Sequence, residues 1–141
     1  MLAYRTILKN GIIKGLETVW ELTKVMAPFY IAVTLLAQTP VMGFLDKMAK
    51  PVMKLVGLPG EAATAIVVGN VLNIYAAIGT MSALSLNAKE VTIIALMILI
   101  SHNLFIETAV SKKTGINVTS LVLVRIIGSF IAGILLNWGW M

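Results

Sequence analysis

A run of 27 residues without a charged side chain, Ala62–Ala88, is the feature that most restricts the fold of this chain. A second uncharged run covers Val25–Leu45. A helix needs about 20 predominantly apolar residues to cross the roughly 30 Å hydrocarbon core of a bilayer. Charged residues make up only 12% of the chain, against about 25% in soluble domains. The sequence therefore predicts an all-α protein that crosses a cell membrane several times.

The pattern predicts a single membrane domain over residues 1–141. It begins with an N-terminal interfacial helix at 1–24, followed by about four membrane segments at 25–45, 60–88, 91–110 and 118–140. In the first part, Leu8, Ile12 and Leu16 recur at helical spacing on one face, and charged residues occupy the opposite face. Such a helix lies in the membrane interface. A simple extension of the first span is the alternative.

The uncharged run Ala62–Ala88 in the segment 60–88 is too long for a straight span, because 27 helical residues would reach about 40 Å. Its centre contains Asn70 and Asn73, together with two glycines. Polar groups at this depth face protein or water rather than lipid. We predict a broken or re-entrant helix, with the break between Gly69 and Thr80. Because buried amides need hydrogen-bond partners, we assign Asn70 and Asn73 to binding a polar solute.

The last two segments carry charges inside apolar sequence. Asn103 and Glu107 are four residues apart, so they share one helix face, and Arg125 lies in the following segment. A short connector makes these helices antiparallel neighbours, so we predict that Glu107 and Arg125 interact. The pair could serve solute binding or ion coupling, or it could only fix the helix register as a buried ion pair. Alternatively, the Arg125 side chain extends to the membrane interface. For His102, a hydrogen bond to a neighbouring carbonyl is the simpler role and proton coupling the alternative.

Several classes of function are excluded by composition. The chain has no Cys and one His, so thiol chemistry and a multi-His metal site are ruled out, and we expect no cofactor. The net charge of +5 is scattered at segment ends without a basic aromatic patch. This distribution indicates contact with anionic membrane lipids rather than nucleic acid. No nucleophile–base pair supports an enzyme.

Two stretches resemble the gate, or nucleoside-recognition, domain. The first is Gly-Leu-Pro-Gly-Glu-Ala-Ala at 57–63 before the Asn- and Gly-rich centre, and the second is residues 101–110 before a Lys-Lys-Thr-Gly turn and the span that contains Arg125. Similar segments occur in spore maturation proteins A and B. FeoB-type ferrous iron transporters carry two related gate domains in inverted repeat, and concentrative nucleoside transporters share a related half. The resemblance covers about residues 20–140 and implies membrane transport by paired domains.

The resemblance to FeoB-type transporters has limits, because this chain has no phosphate-binding loop for GTP. The chain has the content of half an inverted-repeat transporter. Basic residues also divide five against five between the two sides of a four-span arrangement, or six against four if Ala62–Ala88 is a hairpin that returns to its starting side. Either count gives at most a weak preference for one orientation. We therefore expect dual topology and a partner that is a second, antiparallel copy in a homodimer, a higher homo-oligomer or another gate-domain protein.

The expected function is a membrane transporter or transporter subunit for a small polar solute, for which a nucleoside-like molecule is one candidate. The residues expected to bind it are Asn70, Asn73, His102, Asn103, Glu107 and Arg125. The alternative is a membrane assembly or scaffold protein that does not transport and pairs with another gate-domain chain.

Overall fold

The computed structural model describes residues 2–113 and 117–140, and all regular structure in these ranges is helical. The helices are α1 (Leu2–Ala37), α2 (Pro40–Met53), a 3-10 turn (Lys54–Val56), α3 (Ala62–Val71), α4 (Ile74–Ser82), α5 (Ala88–Ser101), α6 (Leu104–Lys113) and α7 (Val118–Gly139). The predicted all-α fold is confirmed for these residues. Two stretches within these helices, Thr6–Leu36 and Val118–Gly139, are long and apolar enough to cross a membrane. Thr114 and Gly115 of the predicted turn lie outside the described residues.

The N-terminal helix α1 is continuous over 36 residues and contains Pro28 without ending there. At 1.5 Å per residue it is about 54 Å long. It runs through residue 24, where the sequence suggested a boundary, and the predicted segment 25–45 is instead divided at residues 38 and 39. Pro40 begins α2, a position that suits proline because the first helical N–H has no intrahelical partner. The location of residues 1–24 at the interface stays a prediction.

The central segment is divided into two short helices, as predicted. Leu72 leaves the helical region with φ −106° and ψ −86°, and Asn73 is extended with φ −165° and ψ 169°. The predicted break between Gly69 and Thr80 is thus confirmed. Because α3 and α4 have 10 and 9 residues, each is about 15 Å long, half the thickness of the hydrocarbon core.

The segment 91–110 is also divided, and the expectation that Asn103 and Glu107 share one helix face was wrong, because Asn103 lies outside α6. α5 ends at Ser101 and α6 begins at Leu104. Between them His102 is extended with ψ 159°, and Asn103 has a left-handed backbone with φ 54°. Asparagine tolerates this conformation better than most residues. The stretch contains no Gly or Pro, so the usual signals of a helix break are missing.

The helices pack in pairs around one apolar core. α1 lies along α4, α5 lies along α7, and α3 contacts both α4 and α5. α1 and α4 approach each other closely at Gly79, where a Cβ atom would lie 2.4 Å from the Met26 carbonyl oxygen. The core is formed by buried residues from the end of α2 through α5: Met53, Val56, Leu58, Ala62, Ala65, Ile66, Ala77, Ile93, Ile94, Met97 and Ile98.

Candidate functional site

The two helix breaks touch each other in the interior of the molecule. The backbone N–H of Asn103 donates to the carbonyl oxygen of Gly69, with 3.4 Å between nitrogen and oxygen. Gly69 lies in the last turn of α3, directly before Asn70. A side chain at Gly69 would press against Ile98 and Ala77, at 3.0 and 3.1 Å from a Cβ atom. The glycine therefore lets the C-terminal end of α3 approach the end of α5.

Two side-chain oxygens at this contact have no hydrogen-bond partner. Asn70 Oδ1 and Asn103 Oδ1 are buried, and neither accepts a hydrogen bond from any described group. A buried amide without a partner destabilises a protein by about 1–3 kcal/mol. Both oxygens are acceptors, so they suit a molecule that presents N–H or O–H groups.

Asn73, which the sequence also assigned to solute binding, has a structural role at the same break. Its side-chain oxygen accepts a hydrogen bond from the backbone N–H of Ala76 at 2.9 Å. Asn73 is thus the N-cap of α4, and a side-chain cap of this kind stabilises a helix by about 1 kcal/mol. The amide N–H groups of Asn73 and the second lone pair of its oxygen are left for a bound molecule.

Arg125 connects the two sides of the second break from α7. Its Nε donates to the carbonyl oxygen of Ile100 at 2.9 Å, in the last turn of α5. Its Nη1 forms an ion pair with Glu107 Oε2, in the first turn of α6. The predicted contact of Glu107 with Arg125 is therefore present. The side chains are 20% exposed for Arg125 and 40% exposed for Glu107, so the pair borders the interior instead of being sealed in it.

His102 lies at the C-terminal end of α5, beside the second break. Its Nδ1 is 3.2 Å from the carbonyl oxygen of Leu99, and it donates to that oxygen when Nδ1 carries the proton. Bonding to a neighbouring carbonyl was the simpler of the two roles considered for this residue. The structure gives His102 no direct contact with the Glu107–Arg125 pair among the described interactions.

The comparisons with known proteins identify the family of this chain. The family described as "Gate: Nucleoside recognition" matches residues 19–116, more than two thirds of the chain. This chain belongs to the Gate family. The matched range contains both helix breaks and Glu107, and it ends before Arg125. The ion pair therefore joins the Gate match to a helix outside it.

A curated relative is the "Uncharacterized membrane protein YvoD" of Bacillus subtilis (strain 168), which is 43% identical over 136 residues. The alignment covers 96% of this chain but only 44% of the relative. The chain thus spans less than half the length of the curated relative that it matches. No solved structure matches the chain.

The chemistry available in this Gate domain is that of neutral amides and one compensated ion pair. Within residues 2–113 and 117–140, no three His, Cys, Asp or Glu side chains are grouped as metal ligands. Two groups of the site were not predicted from the sequence. They are the carbonyl oxygens of Gly69 and Ile100, which accept hydrogen bonds from Asn103 and Arg125. Backbone acceptors leave no signal in the residue type. For Gly69, its position directly before Asn70 was the only sequence indication.

Proposed function

We propose that this Gate protein is one half of a membrane transporter for a small polar solute, with a nucleoside-like molecule as one candidate. The contact between the two helix breaks carries the proposal, because it leaves the buried oxygens of Asn70 and Asn103 without partners. Discontinuous helices at the centre of a transporter commonly form its solute site. The family description, "Nucleoside recognition", supports the choice of solute class.

The charges at the site favour an uncharged solute. The amides are neutral, and Glu107 and Arg125 already neutralise each other. A charged solute would need to separate this pair or remain uncompensated in a low-dielectric environment. A neutral molecule with hydroxyl or amine groups would instead donate to Asn70 and Asn103. His102 and Glu107 are the groups available for proton coupling.

A partner is part of the proposal. α3 and α4 are each about half the thickness of the bilayer, which supports a re-entrant pair whose break reaches the membrane centre. Transporters with such elements usually combine two inverted repeats around a central site. The chain corresponds to 44% of its relative's length, which leaves room in the relative for a second unit of similar size. Here the second unit would be an inverted copy or another gate-domain chain.

Replacing Asn70 with Leu separates solute binding from folding. The leucine removes the unpartnered oxygen while keeping the side-chain volume similar. We therefore expect the thermal midpoint of the detergent-purified protein to stay constant or rise, because an unsatisfied buried group is lost. Binding of uridine, adenosine or guanosine, measured by isothermal titration calorimetry, should be lost.

Asn10→Leu is the matched control, because Asn10 is exposed on α1 and its replacement should leave binding unchanged. Equal binding by the wild type and Asn70→Leu would contradict the proposed site. If neither nucleosides nor a panel of amino acids and sugars bind to the wild type, the transporter proposal fails. A non-transporting scaffold that pairs with another gate-domain chain would then be the better account.

A further inference from the structure

Helix α2 has three chemically different faces. Met42 and Met53 are buried in the body of the protein. A neighbouring face exposes large apolar side chains to the surroundings: Val41, Phe44, Met48 and Val52, with exposed fractions from 46% to 63%. The third face carries exposed lysines, Lys47 and Lys50, with Lys54 directly after the helix. An exposed apolar face next to a cationic face is typical of a helix that lies in the membrane interface.

Beside the apolar face of α2, Leu45, Met48 and Ala49 form one wall of a groove, and α3 forms the other. The α2–α3 groove is lined by Leu45, Met48, Ala49, Ala63, Thr64, Val67 and Val68, and its volume is about 420 Å³. The hydroxyl of Thr64 is already used, because it donates to the Glu61 carbonyl oxygen at 2.6 Å. The groove therefore offers apolar contact and shape, without a free polar group to orient a polar ligand.

The lysine face, Lys47, Lys50 and Lys54, has no acidic partner within the described part of the chain. The two ion pairs found there involve Lys24 with Glu21 and Arg125 with Glu107. At 100° per residue, Lys47 and Lys50 lie on the opposite side of α2 from Leu45. If α2 lies in the membrane interface with its apolar face toward the acyl chains, its lysines lie at the depth of the lipid phosphates.

We propose that α2 lies in the membrane interface and binds anionic phospholipid, with lipid acyl chains in the α2–α3 groove and anionic headgroups at the lysine face on the opposite side of the helix. Charge complementarity selects this occupant. Pairing two copies through the apolar face of α2 would leave the three lysines on the opposite side without a counter-charge, whereas a phosphate-bearing headgroup compensates them. Because apolar surface has little preference between protein and lipid tails, the selectivity comes from the lysines. This site does not depend on solute transport.

Native mass spectrometry of the full chain in detergent tests the site with two defined lipids, dioleoyl phosphatidylglycerol and dioleoyl phosphatidylcholine. We expect the wild type to retain the anionic lipid preferentially. Each lysine near an anionic headgroup contributes about fivefold in affinity, so Lys47→Gln, Lys50→Gln and Lys54→Gln together should lower this preference by roughly 100-fold. Lys9→Gln, Lys14→Gln and Lys24→Gln, with the same change in charge on α1, should retain it.

A second pair of variants tests the groove itself. Val67 is 57% exposed in the groove, whereas Val124 is 69% exposed on α7. Val67→Trp fills the groove and should reduce retention of both lipids, and Val124→Trp should not. Circular dichroism and the thermal midpoint establish that each variant is folded.

Three results would overturn the proposal. The first is that the triple lysine-face variant keeps the wild-type preference for the anionic lipid, or that the triple α1 control loses as much of this preference. The second is unchanged lipid retention in Val67→Trp. The third is efficient disulfide cross-linking of Val67→Cys between two copies, which would assign the groove to a protein interface. The chain has no native Cys to interfere with this readout.

Discussion

Asn103 holds a backbone conformation that few side chains tolerate. Its φ of 54° places it in the left-handed region, which destabilises most L-residues by about 1–2 kcal/mol. The residue also bonds Gly69 through its N–H and starts α6 through its carbonyl oxygen, which accepts from Glu107 N–H at 3.0 Å. The second break therefore depends on a single strained position.

Substitutions at Asn103 should follow backbone tolerance rather than polarity. Asn103→Gly adopts the left-handed region freely and should keep the thermal midpoint close to that of the wild type. Asn103→Val should lower the free energy of unfolding by about 1–3 kcal/mol, because a β-branched residue is an outlier there. Denaturant unfolding in detergent measures both. Equal stability of the Val and Gly variants would show that the left-handed conformation is not required.

Glu107 supplies the counter-charge for Arg125 next to the second break. Glu107→Gln should destabilise the protein by about 1–3 kcal/mol, since a hydrogen-bonded charged group loses its partner. Glu107→Gln combined with Arg125→Met should recover part of this loss, because no uncompensated charge remains. Glu17→Gln on exposed α1 is the control and should change stability by less than about 0.5 kcal/mol. A single variant as stable as this control would contradict the role of the pair.

At the scale of elements, the contact between α1 and α4 depends on the absence of a side chain at Gly79. A Cβ atom there would lie 2.4 Å from the Met26 carbonyl oxygen, which is backbone and cannot rotate away. Gly79→Ala should therefore destabilise the protein by about 1–3 kcal/mol through overpacking. Gly15 lies in α1, where a Cβ atom would meet nothing within 4 Å. Gly15→Ala should therefore stabilise the protein by about 0.5–1 kcal/mol.

The two glycine variants should change the stability of the protein in opposite directions. Thermal unfolding followed by circular dichroism in one detergent gives both midpoints. If Gly79→Ala is as stable as Gly15→Ala, α1 and α4 do not approach each other as closely as described.

At the scale of the whole molecule, the balance of basic residues predicts insertion in both orientations. Lys9 and Lys112 lie on opposite sides of a four-span arrangement, and on the same side if α3 and α4 form a re-entrant pair; the chain has no Cys. Lys9→Cys and Lys112→Cys, tested one at a time in intact cells with a membrane-impermeant maleimide, should each label in part from outside and in full after permeabilisation. Labelling of each variant from only one side of the membrane would exclude pairing with an inverted copy, whichever side that is.

The sequence by itself determined the class of fold and the position of one break. Long uncharged runs cannot be accommodated in a small soluble domain, and 27 uncharged residues with central amides exceed a single span. The meeting of Glu107 and Arg125 also followed from the sequence, because a short connector and helical spacing place both on adjacent helices. These conclusions rest on local composition and periodicity, which a single sequence records directly.

Only the tertiary structure decided the second break and the state of each amide. Nothing in residues 91–110 marks Asn103 as left-handed, because its backbone is set by contact with Gly69, 34 positions earlier in the chain. The two amides of the first break look alike in the sequence, yet Asn73 caps α4 whereas Asn70 keeps a buried oxygen without a partner. Long-range contacts and the hydrogen bonds already in use separate them, and neither is encoded in residue type.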